Sequence, residues 1–409
     1  MRRWRPMLCV LCLALLVPLL LRAWQVLPLD TRPLVARKYA GWTGVLRLWM
    51  FEGWETGGGS LAPWLNRCVE RFEKRHPGVY IQPRTVDAGA VASINESGIL
   101  PPDMLLFPPG LLDSPDGLSA LDAPGALRPG LERCGAWGGR VCAVPVAMGG
   151  YAWAWNPSLV DAVPRDWSDG RATLAAPPPD AWHRWDIALL ALCGGVLPDN
   201  ARQEPIPGVD LGLMLSGATA PSPSPAPAAD DGGICHLPAG FAFDDTAWAR
   251  FINGEAAAMP VTQREVRRLA ALEGQGRGPD WRLAPGGGAF TDQLSYLALV
   301  DRPDAGERRA LCLEFMGWLL EDESQGELWK AGAFSVTDAP SGYPPGDPLL
   351  VIEAALRDDA LAAAPAFGRR WSEAAEGIVR KFTSGQGDAP PLWRSLAQII
   401  AQNPNNNPR

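Results

Sequence analysis

The sequence has few of the residues that hold metals or bind phosphate backbones. It contains only three histidines, which are scattered, and none of the six cysteines after residue 28 stands in a CxxC pair, so the sequence argues against a zinc site. The net charge is −8, and the clusters of Lys and Arg that nucleic-acid binding requires are missing. We therefore expect no metal, no cofactor and no nucleic-acid partner.

Catalytic motifs are also missing from the sequence. It has no GxSxG elbow, no HExxH pair, no Walker loop and no dinucleotide-binding glycine pattern. The glycine triplet 286–288 is typical of a flexible crossing rather than of a phosphate site. Carboxylates near predicted strand ends, at Glu52, Glu55, Asp103 and Asp292, keep a glycosidase pair open as an alternative. Polar surface or hydrogen bonding to a ligand is the preferred interpretation, and we predict a protein that is not an enzyme.

The N-terminus carries an export signal over residues 1–28. Arg2, Arg3 and Arg5 precede the stretch 7–21, which has no charge, and this order follows the positive-inside rule. Its length lies between that of a signal-peptide core and that of a spanning helix. We predict an extracytoplasmic protein that is attached to the outer face of the cytoplasmic membrane by an uncleaved anchor, or secreted if the signal is cleaved.

The rest of the chain alternates between strand and helix patterns. At 409 residues, with 47% apolar and 20% charged residues, it should form two compact units. The segments 45–51, 61–75 and 79–82 read as strand, helix and strand, and 103–107 as a buried parallel strand. Further helices are predicted at 247–251, 261–272 and 307–320. This alternation predicts an open α/β sheet.

A proline- and serine-rich stretch interrupts the second half of the chain. Residues 221–233 read PSPSPAPAADDGG and cannot build a core, so they are interpreted as a solvated loop. A second local feature is a hairpin-like turn, 135–139, between Cys134 and Cys142. In an exported protein these cysteines are a possible disulfide, and two free buried thiols are the equal alternative.

Tryptophan is the most unusual component, with 18 copies against 5 tyrosines. An indole offers a flat apolar face to the C–H face of a sugar ring, so exposed tryptophans suit a carbohydrate ligand. A GC-rich coding bias is the competing explanation, and most of these side chains should lie in the core. Trp54 is the best single candidate, because ligands of open α/β sheets bind beyond the carboxyl ends of strands.

Five motifs follow one another in order between residues 44 and 337. Residues 72–79 are similar to F-x-x-x-x-P-x-V, 102–107 to a PD strand, 143–156 to Y-A-V-P … Y-N, 251–257 to F-x-x-G-x-A-A-M, and 315–332 to F-x-x-F-L-x-x-x-x-x-Q … G. Together they resemble the family 1 extracellular solute-binding proteins of bacterial ABC transporters, a largely sugar-binding group that includes the maltose-binding type.

The resemblance implies a two-lobed α/β fold of the periplasmic-binding-protein type II kind, preceded by the N-terminal membrane segment. Hinge crossovers are expected near Gly149 and Gly288. The implied lobes are 44–149 plus 290–337 for lobe 1, and 150–289 plus 338–409 for lobe 2, which carries the loop 221–233. The implied function is capture of a small molecule in the cleft between the lobes, with a carbohydrate as the expected ligand, and its delivery to ABC permease subunits after hinge closure.

Position within these motifs gives the candidate ligand-binding residues, which are Glu52, Trp54, Glu55, Phe107, Met148, Tyr151, Trp182, Trp185, Gln263 and Thr291. Ordinary packing or surface exposure is the alternative for each of them. Two other functions stay open on the sequence. One is a membrane-anchored accessory or sensory protein with a degenerate binding-protein fold, and the other is a carbohydrate-active enzyme.

Overall fold

The computed structural model describes residues 41–362 with gaps, of which the longest are 90–100, 162–174 and 178–244. Shorter gaps fall at 88, 113, 123–125, 129–130, 133, 138–139, 286–288 and 303–305. The predicted membrane segment 1–28 and the loop 221–233 lie outside the described residues. Within the described ranges, no helix is both long and apolar enough to cross a membrane.

A mixed sheet of five strands organises the first part of the fold. Its order is β2-β1-β3-β11-β6, with β1 at Gly44–Met50, β2 at Val79–Thr85, β3 at Met104–Phe107, β6 at Ala143–Met148 and β11 at Leu294–Leu299. β1 runs parallel to β2 and β3, whereas β11 runs antiparallel to β3 and β6. Every residue of β3 is buried, as its continuous apolar run predicts.

Two helices pack against this sheet. Helix α1 (Ala62–Arg75) buries five side chains on one face, and helix α4 (Gly306–Leu320) lies beside it. The ring of Phe72 lies 5.1 Å from that of Phe315 and 6.2 Å from that of Trp318, both edge-on. Edge-on aromatic pairs of this kind stabilise a core beyond the area they bury. The predicted apolar face of α1 is therefore its packing face.

A second sheet of three strands follows the first crossover. Its order is β8-β7-β9, with β7 at Tyr151–Trp155, β8 at Ala258–Thr262 and β9 at Arg282–Ala284, all antiparallel to β7. The helix predicted to begin at residue 261 begins two residues later, as α3 (Gln263–Gly274). Residue 261 pairs with β7, and Thr262 is the N-cap of α3 in a capping box. Pairing of residue 261 with β7 and capping by Thr262 together explain why α3 begins at Gln263.

The remaining described elements are short or lie toward the C-terminus. They are α2 (Ala247–Ile252), β10 (Ala289–Thr291), α5 (Asp322–Gln325), a 3-10 turn (Leu328–Ala331), α6 (Leu350–Asp359) and β12 (Ala360–Ala362). β10 pairs in parallel with β12, and α6 contacts both β7 and β10. The segment that returns from the second sheet to the first is therefore held by C-terminal elements.

The predicted hairpin is present, with β4 at Ala136–Trp137 paired to β5 at Arg140–Val141. Its flanking cysteines, Cys134 and Cys142, are free buried thiols and not the disulfide considered from the sequence. Side chains alternate along paired strands, so in a regular hairpin positions 134 and 142 face opposite sides. Cys134 donates to the Leu131 carbonyl at 2.9 Å, and burial raises the pKa of its thiol to about 12. A thiol with that pKa stays protonated and unreactive near neutral pH.

Candidate functional site

The first crossover between the two sheets consists of Gly149 and Gly150. Gly149 donates its N–H to the Gln293 carbonyl at 2.7 Å and accepts from Thr291 Oγ1 at 2.7 Å. A Cβ atom on Gly149 would lie 2.0 Å from the side chain of Gln263 and 2.4 Å from that of Gln293. Such distances are too short for real contacts, so the crossover requires glycine here. Hydrogen bonds thereby connect the crossover at Gly149 to the returning segment 291–293.

Gln263, the first residue of α3, joins this crossover from the second sheet. In the amide orientation that satisfies its neighbours, its nitrogen donates to Gln293 Oε1 at 2.7 Å and to the Gly150 carbonyl at 3.2 Å. Its oxygen accepts from the Gly150 N–H at 3.1 Å. Gln263 and Thr291 are both fully buried. The structure thus brings these two predicted ligand residues together, and their polar atoms bind the crossover itself.

Two more predicted residues flank the crossover. Tyr151 begins β7 and donates its hydroxyl to the Asp292 carboxylate in a short hydrogen bond, with 5% of the tyrosine exposed. Met148 ends β6, and its backbone exchanges hydrogen bonds of 3.1 and 2.8 Å with Phe334. Met148 itself is fully buried. Both residues therefore contribute to the packed junction between the sheets.

The loop that follows β1, residues 51–61, carries three predicted residues. Glu52 is exposed and accepts a short hydrogen bond from Ser60. Trp54 is only 7% exposed, because its ring packs into the core and its Nε1–H donates to the Leu294 carbonyl at 3.1 Å. The loop is consequently tied by Trp54 to the start of β11, next to the second crossover.

Glu55, the last of the three predicted residues in this loop, contacts α3. Its Oε2 lies 2.7 Å from Arg264 Nε, and both side chains are about half exposed, at 52% and 49%. An ion pair this exposed contributes about 0–1 kcal/mol. The loop also approaches α3 at Gly57, where a Cβ would lie 3.1 Å from Arg267 Cγ. The carboxyl end of β1 and the first turns of α3 are therefore in contact.

A cavity of about 180 Å³ lies at this contact. One wall is Glu55, and the other walls come from α2, β8 and α3; the side chains important here are Asp245, Trp248, Met259, Arg264, Glu265 and Arg268. Trp248 is half-buried, and the Arg268 guanidinium lies 3.9 Å from the centroid of its ring. Sequence reasoning did not select Trp248 or Arg268. The available signal was a tryptophan in the first turn of the helix that leads into the F-x-x-G-x-A-A-M segment.

Phe107 and two tryptophans complete the predicted set. Phe107 ends β3 and is fully buried, with its ring centroid 6.4 Å from that of Trp137 and 6.1 Å from that of Tyr296. In this structure its ring contacts core residues. Trp182 and Trp185 lie outside the described residues. Their predicted contact with a ligand stays a prediction.

The four carboxylates considered for a glycosidase pair have separate partners. Asp103 precedes β3, whereas Glu52 follows β1; since these strands run parallel, the two carboxylates lie at opposite edges of the sheet. Asp103 contacts Arg308 at 2.5 Å. Glu55 pairs with Arg264, and Asp292 accepts from a tyrosine hydroxyl. The structure therefore engages each of these carboxylates in its own contact.

Comparison with known proteins gives the context of this arrangement. No protein-family model matches the sequence, and no curated protein matches it either. Solved structures do match the fold. The cyclic α-maltosyl-1,6-maltose binding protein from Arthrobacter globiformis has a TM-score of 0.60 at 16% identity, covering 90% of this chain and 100% of its own.

Other solved structures match to a similar degree. A family 1 extracellular solute-binding protein from Bifidobacterium longum subsp. infantis has a TM-score of 0.60 at 16% identity, over 88% of this chain and 100% of its own. The sugar-binding protein MalE from Xanthomonas citri has a TM-score of 0.57 at 14% identity, over 88% of this chain and 97% of its own. The predicted fold is thereby confirmed: this chain has the two-lobed α/β fold of the maltose-binding type of protein.

Proposed function

We propose that this protein is an extracytoplasmic solute-binding protein that captures a small carbohydrate between its two lobes and delivers it to an ABC-transporter permease. The observation that carries the proposal is the cavity of about 180 Å³ at the contact between the loop after β1 and helix α3. Sites of this kind occur at domain interfaces and beyond the carboxyl ends of strands. Solved structures with this fold include proteins described as binding cyclic α-maltosyl-1,6-maltose or as sugar-binding.

The proposed lobes agree with the strand composition of the two sheets. All strands of the five-stranded sheet come from 44–149 and 290–337, the proposed lobe 1. All strands of the three-stranded sheet come from 150–289, which with 338–409 is the proposed lobe 2. The chain passes between them at Gly149 and again before β11.

Hinge closure is the proposed mechanism. A ligand that touches both walls of the cleft stabilises the closed state over the open state, and the permease recognises the closed state. Binding involves no covalent step, so the ligand is released unchanged. Residues 1–28 would hold the protein on the outer face of the cytoplasmic membrane.

Thermal melting of the full chain against a ligand panel tests this proposal. The panel contains mono- and oligosaccharides, polyols and amino acids. A ligand that binds only the folded state at 100 times its Kd adds about 2.7 kcal/mol of stability, so one sugar should raise the melting temperature in a concentration-dependent way. No shift with any carbohydrate would contradict the proposal. Chemical conversion of the sugar, seen by chromatography, would support the enzyme alternative instead.

A further inference from the structure

Five of the eleven residues that line the cleft cavity are charged. Glu55 and Arg264 neutralise each other across it, at 2.7 Å. Glu265 accepts from the Thr262 backbone at 3.0 Å in the capping box of α3. Asp245 and Arg268 are exposed, and neither has an ion-pair partner within the described part of the chain. The Asp245 carboxylate and the Arg268 guanidinium are therefore both available to bind a ligand at this cavity.

Arg268 is held in a fixed place by Trp248. A guanidinium 3.9 Å from the ring centroid is in cation–π contact, which orients the planar group while its N–H donors stay available. The same contact covers one face of Trp248. The indole therefore serves as a support for Arg268 on that face, which is not open for stacking on a sugar.

Other tryptophans near the crossovers are buried in this structure. Trp54 is 7% exposed, Trp153 is 2% exposed and Trp155 is 8% exposed, with the Arg282 guanidinium 5.7 Å from the Trp155 ring. An oligosaccharide that stacks ring after ring needs a row of open aromatic faces. The described walls of the cavity offer charged hydrogen-bonding groups in place of such a row.

The cavity is also small. Its volume of about 180 Å³ lies below the roughly 300–1,000 Å³ of pockets that enclose drug-sized ligands. A hydroxyl group donates one hydrogen bond and accepts two. Each ligand hydroxyl can thus donate to a carboxylate such as Asp245 and accept from a guanidinium such as Arg268. Neighbouring hydroxyls on one sugar ring can therefore bind the carboxylate and the guanidinium at the same time.

On the basis of the proposed function, we infer that the cleft takes a single sugar ring, held by Arg268 and Asp245 rather than by stacking on tryptophan. The ligand class is the neutral monosaccharides. Arg268 is a specificity-determining residue of this site, because its donors face the ring hydroxyls. The solved structures with this fold include proteins described as binding maltodextrin or cycloalternan, so the inference separates this chain from them by ligand size.

Calorimetric titration of the full chain tests the inference. The ligands are glucose, galactose, mannose and xylose, each beside its di- and trisaccharides. We expect one monosaccharide to bind at least about tenfold more tightly than any oligomer that contains it, since the further rings of an oligomer exceed the volume of about 180 Å³. An oligosaccharide that binds more tightly than every single ring would overturn the inference and leave the proposed function standing. No binding of any carbohydrate would overturn both.

Two arginine variants make the test specific to the site. Arg268→Ala should weaken monosaccharide binding about tenfold or more, because hydrogen bonds to charged groups are lost. Arg277→Ala is the matched control: it removes the same charge from an exposed position just beyond the end of α3. Both residues are exposed, so both variants should melt like the parent protein. Equal affinities of the two variants would rule out the role of Arg268.

Discussion

Replacing Gln325 with leucine is expected to lower the melting temperature by about 6–12 °C. Gln325 is 2% exposed, and its Nε2 donates to the carbonyls of Val146 at 2.9 Å and Leu319 at 2.7 Å. Its Oε1 accepts from Ser335 Oγ and from the Val336 N–H, both at 3.0 Å. One buried amide thereby joins β6, helix α4 and the segment after the 3-10 turn.

Leucine would leave several of these groups buried without a partner. Each unsatisfied group costs about 1–3 kcal/mol, so the loss should reach about 3 kcal/mol or more. One kcal/mol shifts the melting temperature by about 2–4 °C for a unit of 150–250 residues. Gln275→Leu, at the exposed C-cap of α3, is the control and should change the melting temperature little. Equal melting of both variants would contradict the role given to Gln325.

Asp103→Asn should destabilise the protein by about 3 kcal/mol. The Asp103 side chain is 2% exposed and lies 2.5 Å from Arg308 Nη2 and 3.6 Å from Arg302 Nη1. It also accepts from the Arg47 N–H at 2.7 Å, which fixes the start of β3 beside β1. Asparagine preserves the shape and removes the charge. Two partly buried arginines then lose their carboxylate, and breaking a buried ion pair from one side costs about 3–5 kcal/mol.

Thermal melting of Asp103→Asn beside Asp116→Asn measures this effect. Asp116 is exposed, so its substitution removes the same charge without breaking a buried contact. We expect Asp116→Asn to melt within about 0.5 kcal/mol of the parent protein. A small change in Asp103→Asn would show that solvent compensates the two arginines, and the ion cluster would then not stabilise the first sheet.

The strands of the first sheet and the helices packed on it could be predicted from the sequence, because their apolar patterns lie within short segments. The run 104–107 is buried throughout, and the spacing of Leu65, Val69 and Phe72 matches the packed face of α1. The start of α3 was missed by two residues because pairing with β7 depends on a strand more than 100 residues earlier. Helical periodicity alone does not contain that information.

The motifs indicated the crossovers but not most of the residues that line the cavity. The motif positions led to the crossovers, where Tyr151, Gln263 and Thr291 meet. Which way each side chain points depends on contacts with distant residues, as Trp54 shows by donating to Leu294. Trp248 follows a long segment without a clear pattern, so no motif indicated that it lines the cavity.

The central claim is that this cleft binds a sugar, and calorimetric titration of Trp248→Ala tests it most directly. The variant removes the ring that positions Arg268 at the cavity. Trp42→Ala is the control, because Trp42 is also half-buried but lies before β1, at the opposite end of that strand from Glu55. With the sugar that the panel identifies, we predict that Trp248→Ala raises Kd about tenfold while Trp42→Ala binds like the parent protein. Equal binding by both variants, or no sugar binding by the parent protein, would contradict the account.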